Sequence, residues 1–126
     1  MRHPAMTAGS DGIFVGSKPH PRGTGCFARY LGHHVRAGHW PLEEAVAKCS
    51  AKTADRFGLK HRGYVKVGYF ADLAVFDPAA LEDRSTYVNG RELAVGMKHV
   101  FVNGEPVLLD GRRTAARPGR GLRHNR

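Results

Sequence analysis

Two charged residues in the stretch AGSDGIFVGSKPHPRGTG, residues 8–25, could do chemistry: Asp11 and, eleven positions on, Arg22. A carboxylate can cap a turn or carry a proton in a reaction. A guanidinium fork fits a carboxylate in a bidentate way, so it orients a partner as well as attracting it. No second acid lies between the two. Gly12, Gly16, Gly23 and Gly25, with Pro19 and Pro21, make residues 10–25 read as a long loop. Such loops in compact domains are functional or disordered. On residue type alone, Asp11 is a turn or capping aspartate and Arg22 a surface arginine.

Histidine is the other chemical resource. His3, His20, His33, His34 and His39 fall in the first 39 residues, five of the eight in the chain. A local zinc site is not expected from them. His33 and His34 are adjacent, so on a helix they point in different directions. His34 falls on an apolar face and reads as a packed core histidine, while His20 and His39 fall in loops. No i, i+4 pair of the H-E-x-x-H kind is present. Cys26 and Cys49 lack C-x-x-C spacing and are too few for a disulfide scaffold. They read as small apolar side chains on helices, reduced in a cytoplasmic protein. There is no nucleophilic triad and no phosphate-binding glycine loop.

The elements that must position these residues follow from periodicity. Residues 5–9, AMTAG, suggest the end of a buried strand. Phe27, Tyr30, Leu31, His34 and Val35 mark one helical face, with Gly38 suited to its C-terminal end. A second helix is expected after Pro41, with Glu43 and Glu44 complementing its dipole and Leu42, Ala45, Val46 and Cys49 as its apolar face. A short third helix runs from about Ala51 to Phe57, closed by Gly58. After Gly63 the period becomes alternating. YFADLAVFD predicts a strand with apolar residues on both faces, covered on both sides and ended by Pro78. HVFVNGEPVLLDG predicts a hairpin around a type I′ Asn103-Gly104 turn. Residues 79–96 read as irregular.

Composition narrows the class. The chain has 126 residues, 41% hydrophobic and 25% charged, which suits one small folded unit with a thin core. The formal charge of +9 is local: Arg112, Arg113, Arg117, Arg120, Arg123 and Arg126 fall in residues 112–126 without an acid. That segment reads as a flexible, solvated basic tail. No aromatic side chain interleaves with its arginines, so a nucleic-acid-binding function is disfavoured. No apolar run reaches the ~18 residues of a membrane span, and the start MRHPAMTAGSDG lacks the apolar block of a secretory signal.

In order, SDG, HPRGTGCFARYLG, LEEAVAKCSAKTADRFGL, RGYVKVGYFADLAVFDP, VFVNGEPV and ARPGR resemble the D-aminoacylases. These are N-acyl-D-amino-acid deacylases of the amidohydrolase superfamily. The resemblance runs from about Gly9 to Leu122. The segment GYFADLAVFD marks the superfamily broadly; SDG and HPR at this spacing point to the D-aminoacylase branch. Where relatives commonly have Thr, Phe and Pro, this chain has Cys26, Phe27 and Ala28.

The resemblance implies a metal-dependent (β/α)8 barrel with a small β-sandwich. This chain then corresponds to an α/β fragment: the last barrel strand, active-site loop and helices over residues 1–62, C-terminal β-sandwich strands over 63–111, and the basic tail over 112–126. A full barrel needs ~250 residues, so the chain is expected to be a C-terminal segment. The resemblance assigns Asp11 as a zinc ligand that also handles protons, and Arg22 as the clamp on the substrate's α-carboxylate. It implies hydrolysis of the amide of N-acyl-D-amino acids, with zinc as cofactor. The histidine ligands of the family lie upstream of these residues, so the chain alone is expected to be catalytically incomplete. The alternatives are a non-catalytic remnant or interaction module that self-associates, and, behind it, a basic nucleic-acid binder.

Overall fold

The computed structural model describes residues 3–122. Helices come first and a sheet follows. One nearly continuous helical rod holds α1 (Arg22–Ala28), a π-helical segment (Arg29–His33) and α2 (His34–Arg36). Then come α3 (Leu42–Cys49) and α4 (Ala51–Phe57). The strands are β1 (Leu73–Phe76), β2 (Met97–Val102), β3 (Glu105–Leu109) and β4 (Arg112–Arg113). They form one antiparallel sheet in the order β1-β2-β3-β4.

The helices follow the sequence signals with two departures. Glu43 and Glu44 occupy the first turn of α3, Pro41 caps it in an extended conformation, and Gly58 ends α4 at φ 64°. The rod, by contrast, starts five residues before Phe27. The segment around Gly23 and Gly25 has poor helix propensity. Its first turn is held from outside, by the Ser85 hydroxyl donating to Pro21 O at 2.9 Å and the Thr24 hydroxyl donating to Gly90 O at 3.0 Å. Lys48 is the second departure. It is 1% exposed at the end of α3, with its ammonium 2.7 Å from Glu44 Oε1 one turn back.

The core gathers Ala28, Tyr30 and Leu31 of the rod, Trp40, Ala45 of α3, and Leu81. Met6, Ala8, Val35, Cys49, Phe76, Ala94 and Met97 pack around it. Gly32 lets the rod approach the 81 loop: a Cβ there would collide with the Leu81 carbonyl oxygen.

Three expectations are corrected. Residues 5–9 form no strand; Ala8 N–H donates to Lys48 O at 3.2 Å, and no strand among the described residues pairs with this stretch. A strand needs such a neighbour to exist. β1 is not covered on both faces, since Ala74 and Val75 are exposed while Leu73 and Phe76 are half-buried. Arg112 and Arg113, assigned to a flexible tail, extend the sheet as β4, opposite Leu109 and Leu108. Thr114 Oγ1 and Asn103 Nδ2 tie the following residues down, donating to Pro106 O and Pro118 O at 2.7 Å each. The rest of the tail from 123 onward, with Arg123 and Arg126, lies outside the described residues. The hairpin is as expected: Asn103 and Gly104 both take positive φ, 51° and 85°, as a type I′ turn requires. No helix among the described residues is long and apolar enough to cross a membrane.

Candidate active site

Asp11 and Arg22 meet. Arg22 Nη2 lies 2.8 Å from Asp11 Oδ2, and Arg22 Nε donates to the Asp11 main-chain oxygen at 3.0 Å. Asp11 sits at φ 48°, a left-handed conformation that aspartate tolerates better than most residues. The pair is open to solvent, with the aspartate side chain 79% exposed and the arginine 41%. An ion pair so exposed adds little stability. What it supplies is position.

Arg22 is not a loop residue, as the sequence suggested, but the first residue of α1. Its main-chain N–H donates to His20 Nδ1 at 3.1 Å. That acceptor role puts the proton of a neutral His20 on Nε2, which lies 3.2 Å from Tyr87 Oη. His20 and Tyr87 also meet edge to face, with ring centroids 5.1 Å apart. A residue 67 positions away therefore fixes the turn that aims Arg22. Sequence reasoning missed both supports, because the link is non-local.

Arg22 lines a cavity of about 570 Å³, together with His20, Cys26, Arg29, Tyr30, Asp83, Ser85 and Tyr87 among others. Asp11 reaches this cavity through Arg22 and is not itself in the wall. Arg29 Nε donates to Asp83 Oδ2 at 3.0 Å across the cavity lining. The Tyr30 hydroxyl is buried with no hydrogen-bond partner. Cys26 points its thiol at Gly9 O, 3.8 Å away, and burial pushes its pKa up against the opposing pull of Arg22. It is a packed thiol, not an activated nucleophile. The cavity wall thus holds two guanidinium groups, Arg29 paired with Asp83 in the lining and Arg22 paired with Asp11 outside it.

The histidines fall out differently from the expectation of a core His34. His34 is half-buried, its ring against Trp40 at 5.2 Å and its Nδ1 3.0 Å from His39 Nδ1. Burial, with His33, His39 and Arg29 close by, lowers its pKa and keeps it neutral.

Zinc was expected on Asp11. Among the described residues no group of three or more His, Cys, Asp or Glu side chains is placed to hold a metal ion. Asp11 Oδ2 is engaged by Arg22. A catalytic zinc takes about three protein ligands, so the residues present do not fit the ion by themselves.

The chain is similar to known proteins along most of its length. Residues 1–108 match the model of the amidohydrolase family. A D-aminoacylase of Alcaligenes xylosoxydans xylosoxydans is 49% identical over 115 residues, covering 90% of this chain and 24% of that protein. A crystal structure of D-aminoacylase superposes with a TM-score of 0.84 at 47% identity, over 87% of this chain and 23% of that one. An N-acyl-D-glutamate deacylase of Bordetella bronchiseptica, in complex with zinc and a phosphonate mimic of the tetrahedral intermediate, gives 0.81 at 42%, over 88% and 24%. The chain spans about a quarter of the length of the relatives it matches. A family match over most of the chain, with the same fold in that quarter, makes this chain a member of the amidohydrolase family.

Proposed function

We propose that this chain supplies one wall of an amide-hydrolysing site acting on N-acyl-D-amino acids. In this reading residues 1–62 are the end of a (β/α)8 barrel and the sheet that follows belongs to a β-sandwich. The remaining walls come from polypeptide outside these 126 residues. The observation that carries the reading is the Asp11–Arg22 pair beside an open cavity.

The division of labour follows from the chemistry of the two groups. Arg22 presents its fork to the α-carboxylate of the substrate and so orients the scissile amide. Asp11 takes a proton from the attacking water and returns it to the departing amine nitrogen. The products are a carboxylate and a free D-amino acid. Asp11 is also one candidate oxygen ligand for the zinc that the Bordetella deacylase carries. Two unpaired cysteines fit a reducing, cytoplasmic setting.

A specific observation supports the need for further polypeptide. Ile13, Phe14 and Val15 beside Asp11 are exposed, and Val65 and Val67 are 91% and 100% exposed. Such apolar surface is usually covered by a partner. Self-association through these same faces is the second reading.

The test is a chimera in which this chain replaces its matching quarter of the Alcaligenes D-aminoacylase. Zinc-dependent release of a D-amino acid from an N-acyl-D-amino acid is expected. A folded, zinc-loaded chimera without turnover, or a chimera equally active with Asp11→Ala, would contradict the reading. A free chain that forms stable oligomers and a chimera that stays inactive would favour the second.

A further inference from the structure

The end of the helical rod is a Schellman motif in which the two side chains brought together are both histidine. His39 N–H donates to His34 O at 3.1 Å, and Gly38 N–H donates to Val35 O at 2.9 Å. These are the paired bonds that define the motif, and Gly38 takes the left-handed conformation it needs, φ 71°. The motif places the third residue before the cap against the second residue after it, a contact that is normally apolar. Here it sets His34 Nδ1 3.0 Å from His39 Nδ1, a hydrogen bond in which one ring donates and the other accepts.

We infer that His34 and His39 form a two-imidazole chelate for a divalent transition-metal ion, the ion replacing the proton shared by the two Nδ1 atoms, which moves to the donor ring's Nε2; His34 also stands in the lining of the cavity that Arg22 lines. Imidazole–metal bonds of about 2.0–2.1 Å that span this gap meet at close to a right angle at the ion. A right angle is the cis angle of square-planar and octahedral complexes, narrower than the tetrahedral angle zinc prefers. The site therefore favours Cu²⁺ and Ni²⁺ over Zn²⁺, with water completing the coordination. Backbone bonds of the motif fix the main chain of both residues, and the two rings pack on each other and on Trp40, which limits the freedom lost on binding. His39 is exposed and the ion can enter from solvent.

The structure also supplies a reporter. Trp40, the single tryptophan of the chain, has its ring 5.2 Å from His34 and 5.9 Å from His39. Paramagnetic Cu²⁺ bound between the histidines quenches its fluorescence.

The experiment titrates Cu²⁺, then Ni²⁺ and Zn²⁺, into the 126-residue chain at neutral pH in a non-coordinating buffer. Trp40 emission and copper electron paramagnetic resonance are the readouts. Expected are saturable one-to-one quenching, hyperfine splitting from two imidazole nitrogens, and weaker binding of Zn²⁺ than of Ni²⁺. His34→Ala and His39→Ala each weaken binding by at least the about tenfold that loss of even a supporting group costs a metal site. His61→Ala and His99→Ala leave it unchanged. Gly38→Ala keeps both ligands but strains the turn, and weakens binding without abolishing it. Binding by His39→Ala as tight as by the parent, or a spectrum with no imidazole pair, overturns the inference. Because His39 is exposed, its replacement leaves the packing intact, which far-ultraviolet circular dichroism verifies.

Discussion

Arg22 holds Asp11 at two points, through Oδ2 at 2.8 Å and through the main-chain oxygen at 3.0 Å. The second bond does not depend on the carboxylate. When a substrate carboxylate competes for the guanidinium, Arg22 can release the side chain and keep its hold on the loop. In the proposed function the pair holds both groups in place before substrate arrives: a guanidinium beside the cavity and a carboxylate next to it.

Arg22→Ala in the chimera is expected to raise KM for N-acyl-D-amino acids by about 100-fold, the scale of losing a charge-assisted hydrogen bond to a bound carboxylate. Steady-state kinetics check this. Arg22→Lys should recover only part of the loss, because an ammonium cannot make the two-pronged contact.

His20→Ala and Tyr87→Phe probe the support behind Arg22. Each removes one partner of the Tyr87–His20–Arg22 chain. His20→Ala should destabilise the fold by about 1 kcal/mol in urea unfolding, with Tyr87→Phe smaller because both groups are exposed. Both should raise KM in the chimera less than Arg22→Ala does.

Leu81 is fully buried where the loop after β1 meets the rod. Leu81→Ala should cost about 2–5 kcal/mol. Gly32→Ala should cost about 1–3 kcal/mol by overpacking against the Leu81 carbonyl. Denaturant midpoints of the two variants measure both effects.

Cys49 is half-buried, and desolvation pushes its thiol up to about 11 from 9.0. The folded state favours the protonated thiol more than the unfolded state does. Its contribution is therefore complete below pH 9.0 and is lost as pH rises through about 11. Unfolding midpoints should fall across that window, and less so in Cys49→Ala. At neutral pH, Cys49 should react slowly with iodoacetamide.

Where local chemistry decided the structure, it was readable. Asn103-Gly104 dictated the hairpin, Pro41 with Glu43 and Glu44 the start of α3, and Gly58 the end of α4. The start of α1 was hidden because Gly23 and Gly25 argue against a helix that Ser85 and Thr24 hold together over distances of 64 and 66 residues. β4 was hidden because Arg112 and Arg113 pair through their backbones and carry no apolar alternation. In the site, the resemblance carried by SDG and HPR at their spacing pointed to Asp11 and Arg22; residue type alone did not. Tyr87 and Asp83 join only through the fold. The His34–His39 contact had a local signal in Gly38, which marks the cap; periodicity alone sent His34 to the core instead.

The most direct test of the central claim is the kcat of the chimera carrying Asp11→Asn, an isosteric change that removes the proton acceptor. The expected result is a fall of about 10²–10⁴-fold with KM little changed, the scale set by general acid–base catalysis. A kcat within a few-fold of the parent chimera, in a protein that is folded and zinc-loaded, would show that Asp11 does not carry the proton and would contradict the account.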